Sequence, residues 1–425
     1  MNVIPHKPNP ETDSMKSLNI KLSHFFGLVS LVSFSQTEDI PFKQLKTLAG
    51  NSHAHTILTY SHGNHLQKKA GFQKGDKILY IDSLYVSRPQ NTTLKDDWQK
   101  FQGLPEKHFE EAKKAGLDFY CVTDHSQEEA FSPTYENNTA WTVAQKQAET
   151  ASDENFTAFM GVEHSENNSD NGRGHFNVIG PSSYINAIKP GNDIPYFYNW
   201  LKQNPKNEKT GNPVVVTFNH PAKHQYNDWA YRDDGITEII TLLEVINGNK
   251  SHYPGFLGAL EKGWKVSPVA GFDNHNYTAI KEFDSRTFVL AESNTPKDIL
   301  EAMRKRRTYA SFDRNLECRY SVNDSLMGAT IPKARRYDLK IYVNDPDTTD
   351  PSDRISKIDI VTSGNKVLRS FQTKDPKHEV RWKVSLKQDE VKKYLFVRVY
   401  DSSGEPANSS DPLEPIAWLA PVWCK

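Results

Sequence analysis

The sequence predicts an α/β domain followed by a smaller β-sandwich. Between about residues 44 and 313, short apolar runs alternate with helical patterns, as in a repeating βα domain. From residue 316 to the end, strand-like runs follow one another, separated by clusters of Gly, Asp, Pro and Ser. The chain has 425 residues, of which 36% are hydrophobic and 25% charged, so it can bury a core in each region.

The α/β region contains five predicted strands and five predicted helices. The strands are short apolar runs at 117–123, 156–161, 213–218, 242–246 and 265–270. The helices are amphipathic patterns at 105–115, 141–151, 196–203, 254–262 and 296–306. Residues 44–49 also have a helical pattern. The segment 76–103 is an insertion into the first repeat and a candidate lid.

The β-sandwich, residues 316–425, is predicted from runs of β-branched and aromatic residues. Its strands are expected at 337–343, 358–362, 380–384, 394–400 and 416–423. We expect this domain to pack on the α/β domain and to shape one side of its site. Trp418 and Trp423 are interpreted as core residues of the last strand rather than as a platform for a sugar.

The N-terminus has the pattern of a removable export signal. Starting at Met15, two lysines precede the apolar stretch 25–34, which is too short to span a bilayer but has the length of a signal core. Ser33 and Ser35 place small residues where a signal peptidase requires them. Residues 1–35 are therefore predicted to be a signal peptide with Met15 as the true start, and the protein to be periplasmic or secreted. The alternative is a fraying amphipathic helix.

Charge and cysteine content exclude several kinds of protein. Lys plus Arg (52) nearly balances Asp plus Glu (53), so no strong field attracts nucleic acid or a membrane surface. We expect neither nucleic-acid partners nor stable membrane insertion. The three cysteines have no short spacing and form neither a disulfide framework nor a zinc knuckle. Cys121 lies in an apolar run and is expected to be a buried hydrophobe rather than a nucleophile.

Histidines mark the candidate site, since twelve of the fifteen fall between His53 and His275. Two pairs, His53 with His55 and Asp273 with His275, have the i, i+2 spacing that places both side chains on one face of an extended segment. Most of the other candidates directly follow a predicted strand, at the rim where catalytic groups of α/β barrels converge. A single histidine at a strand end is usually a hydrogen-bonded surface group, but this set favours a metal site. Imidazole and carboxylate ligands suit zinc, iron or manganese.

Six short motifs resemble the ordered motifs of the PHP (polymerase and histidinol phosphatase) superfamily. They are NSHAHT at 51–56, VTDH at 122–125, GVE at 161–163, GHFN at 174–177, NHP at 219–221 and GFDNH at 271–275. The resemblance covers most of residues 48–313. It is strongest to the carbaryl-hydrolase-like metallohydrolases, which typically have an Arg-Thr segment like Arg286-Thr287 and a β-domain that ends in an apolar strand containing proline.

This resemblance implies a distorted seven-stranded (β/α) barrel that holds two or three divalent ions of Zn, Mn or Fe. The implied metal ligands are His53, His55, His62, His125, Glu163, His175, His220, Asp273 and His275. One metal would be held by His53, His55, Glu163 and Asp273, and a second by the bridging Glu163 with His175 and His220. His125 and His275 would hold a third with His62, where many relatives have Ser-Asp-Gly with two fewer residues before it.

Four neighbours of these ligands are open to interpretation. Asp124 either orients His125 or caps the following helix. His164 is expected to point away from Glu163 and to support the ligands from outside. His65 is expected to face solvent. His108 lies in a charged helical pattern and is expected at the surface.

The implied chemistry is hydrolysis, with Glu163, His220 and Asp273 as catalytic candidates. Two nearby metal ions hold a hydroxide and neutralise charge in the transition state, so no Ser or Cys nucleophile is needed. A small organic phosphate ester is the preferred substrate, because phosphate esters are the commonest substrates in the superfamily. The alternatives are a carboxyl or carbamate ester at the same metals, or a non-catalytic module that binds a glycan or a partner.

Cations near the proposed ligands are candidates for holding a phosphate. They are Arg173, Lys223, Arg232 and Lys250, each of which is equally explained as a solvated loop residue. His224 and His252 are candidates for protonating a leaving group, and the spacing does not choose between them.

Overall fold

The structure is a computed structural model that describes most of the chain beyond residue 43. The described residues are 44–59, 77–81, 84–88, 102–132, 137–166, 174–189, 191–350, 353–402 and 415–425. The predicted signal peptide, His62, His65 and Arg173 lie outside them, as does most of the candidate lid. The chain from Pro41 to Lys425 forms one unit.

Strands up to residue 313 alternate with helices. These described strands are β1 (Lys46–Asn51), β2 (Lys77–Ile81), β3 (Leu84–Arg88), β4 (Phe119–Val122), β5 (Thr157–Glu166), β6 (Gly174–Ile179), β7 (Val215–Asn219), β8 (Ile240–Asn247), β9 (Lys250–Ser251), β10 (Ser267–Gly271), β11 (Arg286–Ala291) and β12 (Thr308–Ser311). The helices are α1 (Pro105–Lys114), α2 (Thr139–Ala151), α3 (Ile194–Gln203), α4 (Asp234–Thr237), α5 (Tyr253–Glu261) and α6 (Pro296–Arg304). Two 3₁₀ helices (Glu129–Phe131, Tyr277–Glu282) and a left-handed turn within Gln225–Trp229 complete this part.

The region after residue 313 is built from strands in its described part. They are β13 (Glu317–Val322), β14 (Ser325–Leu326), β15 (Thr330–Ile331), β16 (Arg336–Asn344), β17 (Ile355–Thr362), β18 (Lys366–Lys377), β19 (Glu379–Lys387), β20 (Tyr394–Asp401), β21 (Ala417–Leu419) and β22 (Val422–Cys424). The fold is thus mixed α/β with an all-β C-terminal region, as predicted. Trp418 and Trp423 are buried, which confirms their interpretation as core residues.

One curled sheet carries most of the strands. Its order is β10-β8-β7-β6-β5-β4-β1-β11-β12-β21-β20-β17-β18. The pairs β1–β4, β4–β5, β7–β8 and β8–β10 are parallel, whereas β6 is antiparallel to both of its neighbours. A separate sheet has the order β14-β13-β16-β19.

Hydrogen bonds beyond the strand ends bring the first and last parts of the curled sheet together. Asp273 N donates to His53 O at 3.0 Å, and His55 N donates to Asn274 O at 2.9 Å. Within the strands themselves, Thr287 Oγ1 of β11 and Thr308 Oγ1 of β12 donate to carbonyls of β10. The segment after β1 is therefore fixed against the segment after β10.

The C-terminal region continues the same sheet. Strand β21 pairs antiparallel with β12, with Ala310 opposite Trp418. The boundary expected at 313–316 falls between β12 and β13, but the chain returns across it when β21 joins β12. The two regions therefore share one sheet.

Three helices begin at side chains of the types that usually cap a helix. Asn138 Oδ1 accepts from Trp141 N ahead of α2, and Asp193 Oδ1 accepts from Tyr196 N ahead of α3. Thr295 caps α6, whose first residue is Pro296. The five helices predicted in the α/β region all form, each beginning and ending within two residues of its predicted bounds.

A core cluster lies where α6 covers the strands. It takes residues from many strands, among them Leu48, Phe119, Phe159, Val215 and Leu242, and packs them with residues of α6. Cys121 belongs to this cluster and is fully buried, as predicted. No helix in the described residues combines the length and apolar character needed to cross a bilayer.

Two expectations from the sequence are wrong. Residues 44–49 are not helical, because β1 occupies Lys46–Asn51 and pairs with both β4 and β11. Tertiary pairing outweighs the helical propensity of so short a segment. His108 is fully buried rather than at the surface, because its Nε2 bonds Gln102 O at 2.7 Å on the inner face of α1.

Candidate metal centre

Six strands, or the segments that follow them, bring eight candidate ligands together. The segment after β1 provides His53 and His55, and the segment after β4 provides His125. Glu163 lies within β5, which continues past the predicted strand end at Gly161, and His175 lies at the start of β6. His220 follows β7, and Asp273 and His275 follow β10. Isolated β-bridges join Ala54 to Asn274 and His125 to Glu163. His220 and Asp273 have positive φ angles (32° and 51°), a strained conformation that is common at functional sites.

Glu163 lies at the centre of this group and is 1% exposed. Its Oε1 is 3.1 Å from His175 Nδ1 and 3.5 Å from His220 Nε2. Its Oε2 is 3.0 Å from His125 Nδ1 and 3.4 Å from His55 Nε2. The two carboxylate oxygens therefore face different imidazoles, as a ligand between two metals would.

Electrostatics keep Glu163 ionised despite its burial. Burial alone would raise the pKa of Glu163, but positive charge on His175, His125 and His53 lowers it well below the usual range. The pKa of Asp273 is lowered in the same way, against burial, by His53 and His55. The site thus has two carboxylates available as ligands.

The distances around His53 and His55 fit one ion. Their Nε2 atoms are 3.0 Å apart, and Asp273 Oδ1 is 3.1 Å from His55 Nε2 and 3.6 Å from His53 Nε2. Two ligand atoms at about 2.1 Å from a tetrahedral ion lie roughly 3.4 Å apart. The observed separations are close to that value.

The hydrogen bonds of these two rings leave both Nε2 atoms with lone pairs. His53 Nδ1 donates to the Glu244 carboxylate at 2.8 Å. Thr59 uses its hydroxyl hydrogen on Asp124, so His55 Nδ1 is the donor in its 3.3 Å contact with Thr59 Oγ1. These two Nε2 atoms lie 3.0 Å apart beside two carboxylates, so they either share a proton or bind a common cation, and the donor set suits a divalent metal.

Two further imidazoles, those of His125 and His275, lie beside His55. The ring of His55 stacks on both, with centroid distances of 4.6 and 4.3 Å. His275 Nδ1 lies 3.1 Å from Asp273 O, while its buried Nε2 makes no hydrogen bond within the described residues. Burial and the nearby charge of His55 lower the pKa of His275 to about 3, so the ring is a neutral ligand. His62, expected to complete this set, lies outside the described residues.

Glu244 is a residue of the centre that the sequence reasoning missed. It is fully buried in β8, where its Oε1 holds His53 and its Oε2 accepts from His220 N at 2.8 Å. Against the opposing effect of burial, Glu244, Asp273 and Glu163 raise the pKa of His53 well above its usual value. In the sequence, Glu244 could have been noticed as the single charged residue in the mostly apolar run ITLLEVIN of β8.

Gly271 makes room for Glu244. A Cβ at this position would lie 2.0 Å from Glu244 Oε1 and 2.7 Å from His53 Cβ. Any side chain at residue 271 would therefore displace the carboxylate that holds His53.

Asp124 has neither of the two roles considered for it. Its carboxylate accepts from Thr56 N at 2.6 Å, from Thr56 Oγ1 at 2.8 Å and from Thr59 Oγ1 at 2.7 Å. It therefore shapes the turn after His55 instead of orienting His125 or capping a helix. His125 Nδ1 is instead 2.6 Å from Ser165 Oγ.

Three other described histidines, His164, His252 and His224, are not among the candidate ligands. His164 points away from Glu163 and stacks on Phe197 with a centroid distance of 3.9 Å. His252 lies near the open side, 6.3 Å between ring centroids from His220. His224 is exposed and pairs with Asp228.

The candidate phosphate-binding cations are spread out. Lys223 is exposed in the loop after His220, and Lys250 is exposed in β9, opposite Asn247. The guanidinium of Arg232 lies beside Gly263, ahead of β10, at the other end of that strand from Asp273. Arg173 lies outside the described residues.

No family model and no curated protein matches this chain. The chain is similar to a solved structure of a two-domain protein containing a predicted PHP-like metal-dependent phosphoesterase from Bacteroides vulgatus ATCC 8482, at 16% identity with a TM-score of 0.44. That alignment covers 89% of this chain and 96% of the other. A second structure, from Bifidobacterium adolescentis ATCC 15703, is described as a candidate metal-dependent phosphoesterase. It shares 13% identity with a TM-score of 0.26, covering 42% of this chain and 84% of that one.

Both overlaps are loose, so the chemistry of the site rests on the chain's own side chains. Within this centre, three groups of donors lie close enough to hold an ion: His53, His55 and Glu163; Glu163, His175 and His220; and His55, His125 and His275. The described side chains therefore form a centre suited to divalent metal ions.

Proposed function

We propose that this chain is a metal-dependent hydrolase, and specifically a phosphoesterase that acts on a small organic phosphate ester. The proposal is supported above all by the position of Glu163. Its Oε1 faces His175, His220 and His53, and its Oε2 faces His125 and His55. We take this buried carboxylate as the anionic bridge between two metal positions.

The residues divide between two or three ions of Zn, Mn or Fe. His53, His55, Glu163 and Asp273 would hold one, and Glu163, His175 and His220 a second. His125 and His275 would hold a third with His62. Ions bound in this way lower the pKa of a bound water and neutralise charge that develops on a phosphoryl group.

The exposed side of the centre is where substrate would approach. The side chains of His175, His220 and Asp273 are 31%, 25% and 27% exposed, whereas those of His53, His55 and Glu163 are at most 1% exposed. Asp273 is the only carboxylate of the described centre on that open side, and Asn247 Nδ2 holds its Oδ2 at 3.4 Å. We assign Asp273 the task of orienting water, and Lys223 and Lys250 the task of attracting the phosphate.

The fold and setting of this enzyme are part of the proposal. Strands β1, β4, β5, β6, β7, β8 and β10 would form the distorted seven-stranded barrel of the PHP superfamily, joined between the segments after β1 and β10. The proposal also includes similarity to the carbaryl-hydrolase-like group, export through residues 1–35, and a small-molecule ester as substrate.

The test uses the mature chain beginning at Gln36. Metal content would be measured together with turnover of an aryl phosphate and an aryl carboxyl ester, each with and without chelator. We expect two or three equivalents of metal and chelator-sensitive turnover of the phosphate. Turnover of the carboxyl ester alone would transfer the proposal to carboxyl or carbamate esters. Less than one equivalent of metal after reconstitution would refute the hydrolase and favour a binding module.

A further inference from the structure

A second group of acidic side chains lies far along the chain from the histidines. Asp313, Asp345 and Asp353 each offer an oxygen, and these three atoms all lie within 4.8 Å of one another. Asp345 is 1% exposed and the other two are half-buried. Buried carboxylates at this spacing repel one another strongly unless a cation or a proton lies between them.

Two of these carboxylates are held in place by backbone amides. Asp313 Oδ1 accepts from Asn315 N at 2.7 Å and from Leu316 N at 2.9 Å. Asp345 Oδ1 accepts from Asp347 N at 2.9 Å. In each residue the other oxygen, Oδ2, is buried and makes no hydrogen bond within the described residues. Asp313 and Asp345 therefore each keep one buried oxygen that no described group binds, within a group whose oxygens approach one another to 4.8 Å or less.

An amide oxygen nearby is also without a partner. Asn315 Oδ1 is buried and makes no hydrogen bond in the described part of the chain. Asn315 follows Asp313 by two residues, and its N–H holds that carboxylate. Asn315 Oδ1 is therefore a candidate fourth oxygen ligand beside the three carboxylates.

The described cations near this group are His378, whose charge opposes the rise in the pKa of Asp345, and Arg286. Among the described residues, no Lys or Arg nitrogen forms an ion pair with Asp313, Asp345 or Asp353. Arg286 lies close enough for its charge to interact with Asp313, but its Nη1 donates to the carbonyls of Phe283 and Ser285. Burial and the charges of Asp353 and Asp345 raise the pKa of Asp313 to about 7.

We propose that Asp313, Asp345 and Asp353, with Asn315, form a calcium site that is separate from the histidine centre. Calcium takes oxygen ligands at about 2.4 Å, so two oxygens on one ion lie at most about 4.8 Å apart. The all-oxygen donor set excludes the ions that prefer imidazole. Calcium tolerates irregular coordination, whereas magnesium demands a near-ideal octahedron, so carboxylates already fixed by the backbone suit calcium better.

The position of the site indicates a structural role. Asp313 lies where the chain passes from β12 of the curled sheet to β13 of the four-stranded sheet. Asp345 and Asp353 flank the passage back from β16 to β17. One ion would therefore tie together two crossings between the sheets.

The test measures calcium binding and thermal stability on protein whose histidine centre is loaded with Zn or Mn and which is dialysed free of calcium. We expect calorimetric titration with CaCl₂ to give about one equivalent, with a Kd on the order of 10⁻⁵ to 10⁻³ M. At a hundredfold excess over Kd, the Tm should rise by about 3 °C. An equal response to MgCl₂ would overturn the assignment to calcium.

Two variants and a control make the result specific. Asp345→Asn should abolish the calcium response while leaving the calcium-free protein folded, because it removes one of the repelling charges. Asn315→Asp should tighten calcium binding by roughly tenfold through a fourth carboxylate and lower the calcium-free Tm. Asp375→Asn, at an exposed acid paired with Lys377, should respond like the unchanged protein. The site is refuted if the unchanged protein binds no calcium, or if all variants respond alike; in both cases a proton shared among the acids explains the cluster.

Discussion

The histidine centre and the acidic cluster resolve the same electrostatic problem differently. In the histidine centre, buried Glu163 and Asp273 are surrounded by imidazoles, which lower the pKa of both acids. In the acidic cluster, burial with mutual repulsion raises the pKa of Asp313 and Asp345, although the charge of His378 opposes this rise at Asp345. Burial alone therefore does not set the charge of a carboxylate; the groups packed around it do.

The largest effect is expected from Glu163→Gln, which removes the bridging charge of the histidine centre. One of the two oxygens becomes an amide nitrogen that cannot bind a metal, so the two positions can no longer share the side chain. We expect kcat/KM to fall by about 10³-fold or more and metal content to drop. The measurement is steady-state kinetics with metal analysis, with exposed Glu149→Gln on α2 as the matched control. Retained activity and metal content would remove Glu163 from the centre.

A smaller effect is expected from Glu244→Gln, which keeps the shape of the side chain but removes its charge. His53 loses the anion that fixes its tautomer, and such outer partners typically contribute 10- to 100-fold in metal affinity or activity. Competition with a metal-binding dye would measure the change in affinity. If Glu244→Gln binds metal as tightly as the unchanged protein, the carboxylate only fills space between His53 and His220.

A fully paired acid in the C-terminal region sharpens the contrast with the acidic cluster. Asp359 is buried in β17 and accepts from Arg398 Nε and Nη2 at 3.2 and 3.1 Å. Asp359→Asn leaves that guanidinium without its anion, and breaking such a pair costs about 3 kcal/mol. We expect the Tm to fall by about 4 °C, measured by calorimetry. Calcium-free Asp345→Asn should show no such loss, and equal losses in the two variants would contradict the difference drawn between the sites.

The smallest effect concerns His108, a buried imidazole with no acid beside it. Burial lowers the pKa of His108 to about 4, below the usual 6.5, so the unfolded chain binds the proton more readily. His108 therefore contributes stability that is complete above pH 6.5 and is lost as the pH falls towards 4. We expect the loss over this window to be about 2 to 3 kcal/mol from this group.

Chemical unfolding between pH 7 and 4 would measure that loss. His108→Gln keeps a side chain that can bond Gln102 O but does not titrate, so its stability should depend less on pH. The same pH dependence in both proteins would show that His108 does not titrate as described.

Much of the fold and of the centre followed from local pattern. Amphipathic spacing with proline and capping residues predicted the helices, because a helix of ten residues has enough periodic positions to identify itself. Spacing and predicted strand ends singled out His53, His55, His125, Glu163, His220, Asp273 and His275, and the family resemblance added His175. The structure brings all eight together. Local pattern failed for β1, whose six residues are a strand only because β4 and β11 lie beside them.

The donor side chains can be identified from the sequence, because imidazoles and carboxylates beside predicted strands are visible without knowledge of their neighbours. The groups that surround these donors are known only once the chain is folded. Glu244 lies 191 residues from His53 in the chain, and the three acids of the cluster come from two separate crossings between sheets. Proximity of this kind depends on how strands are ordered in space, and ligand geometry, charge balance and pKa all depend on proximity.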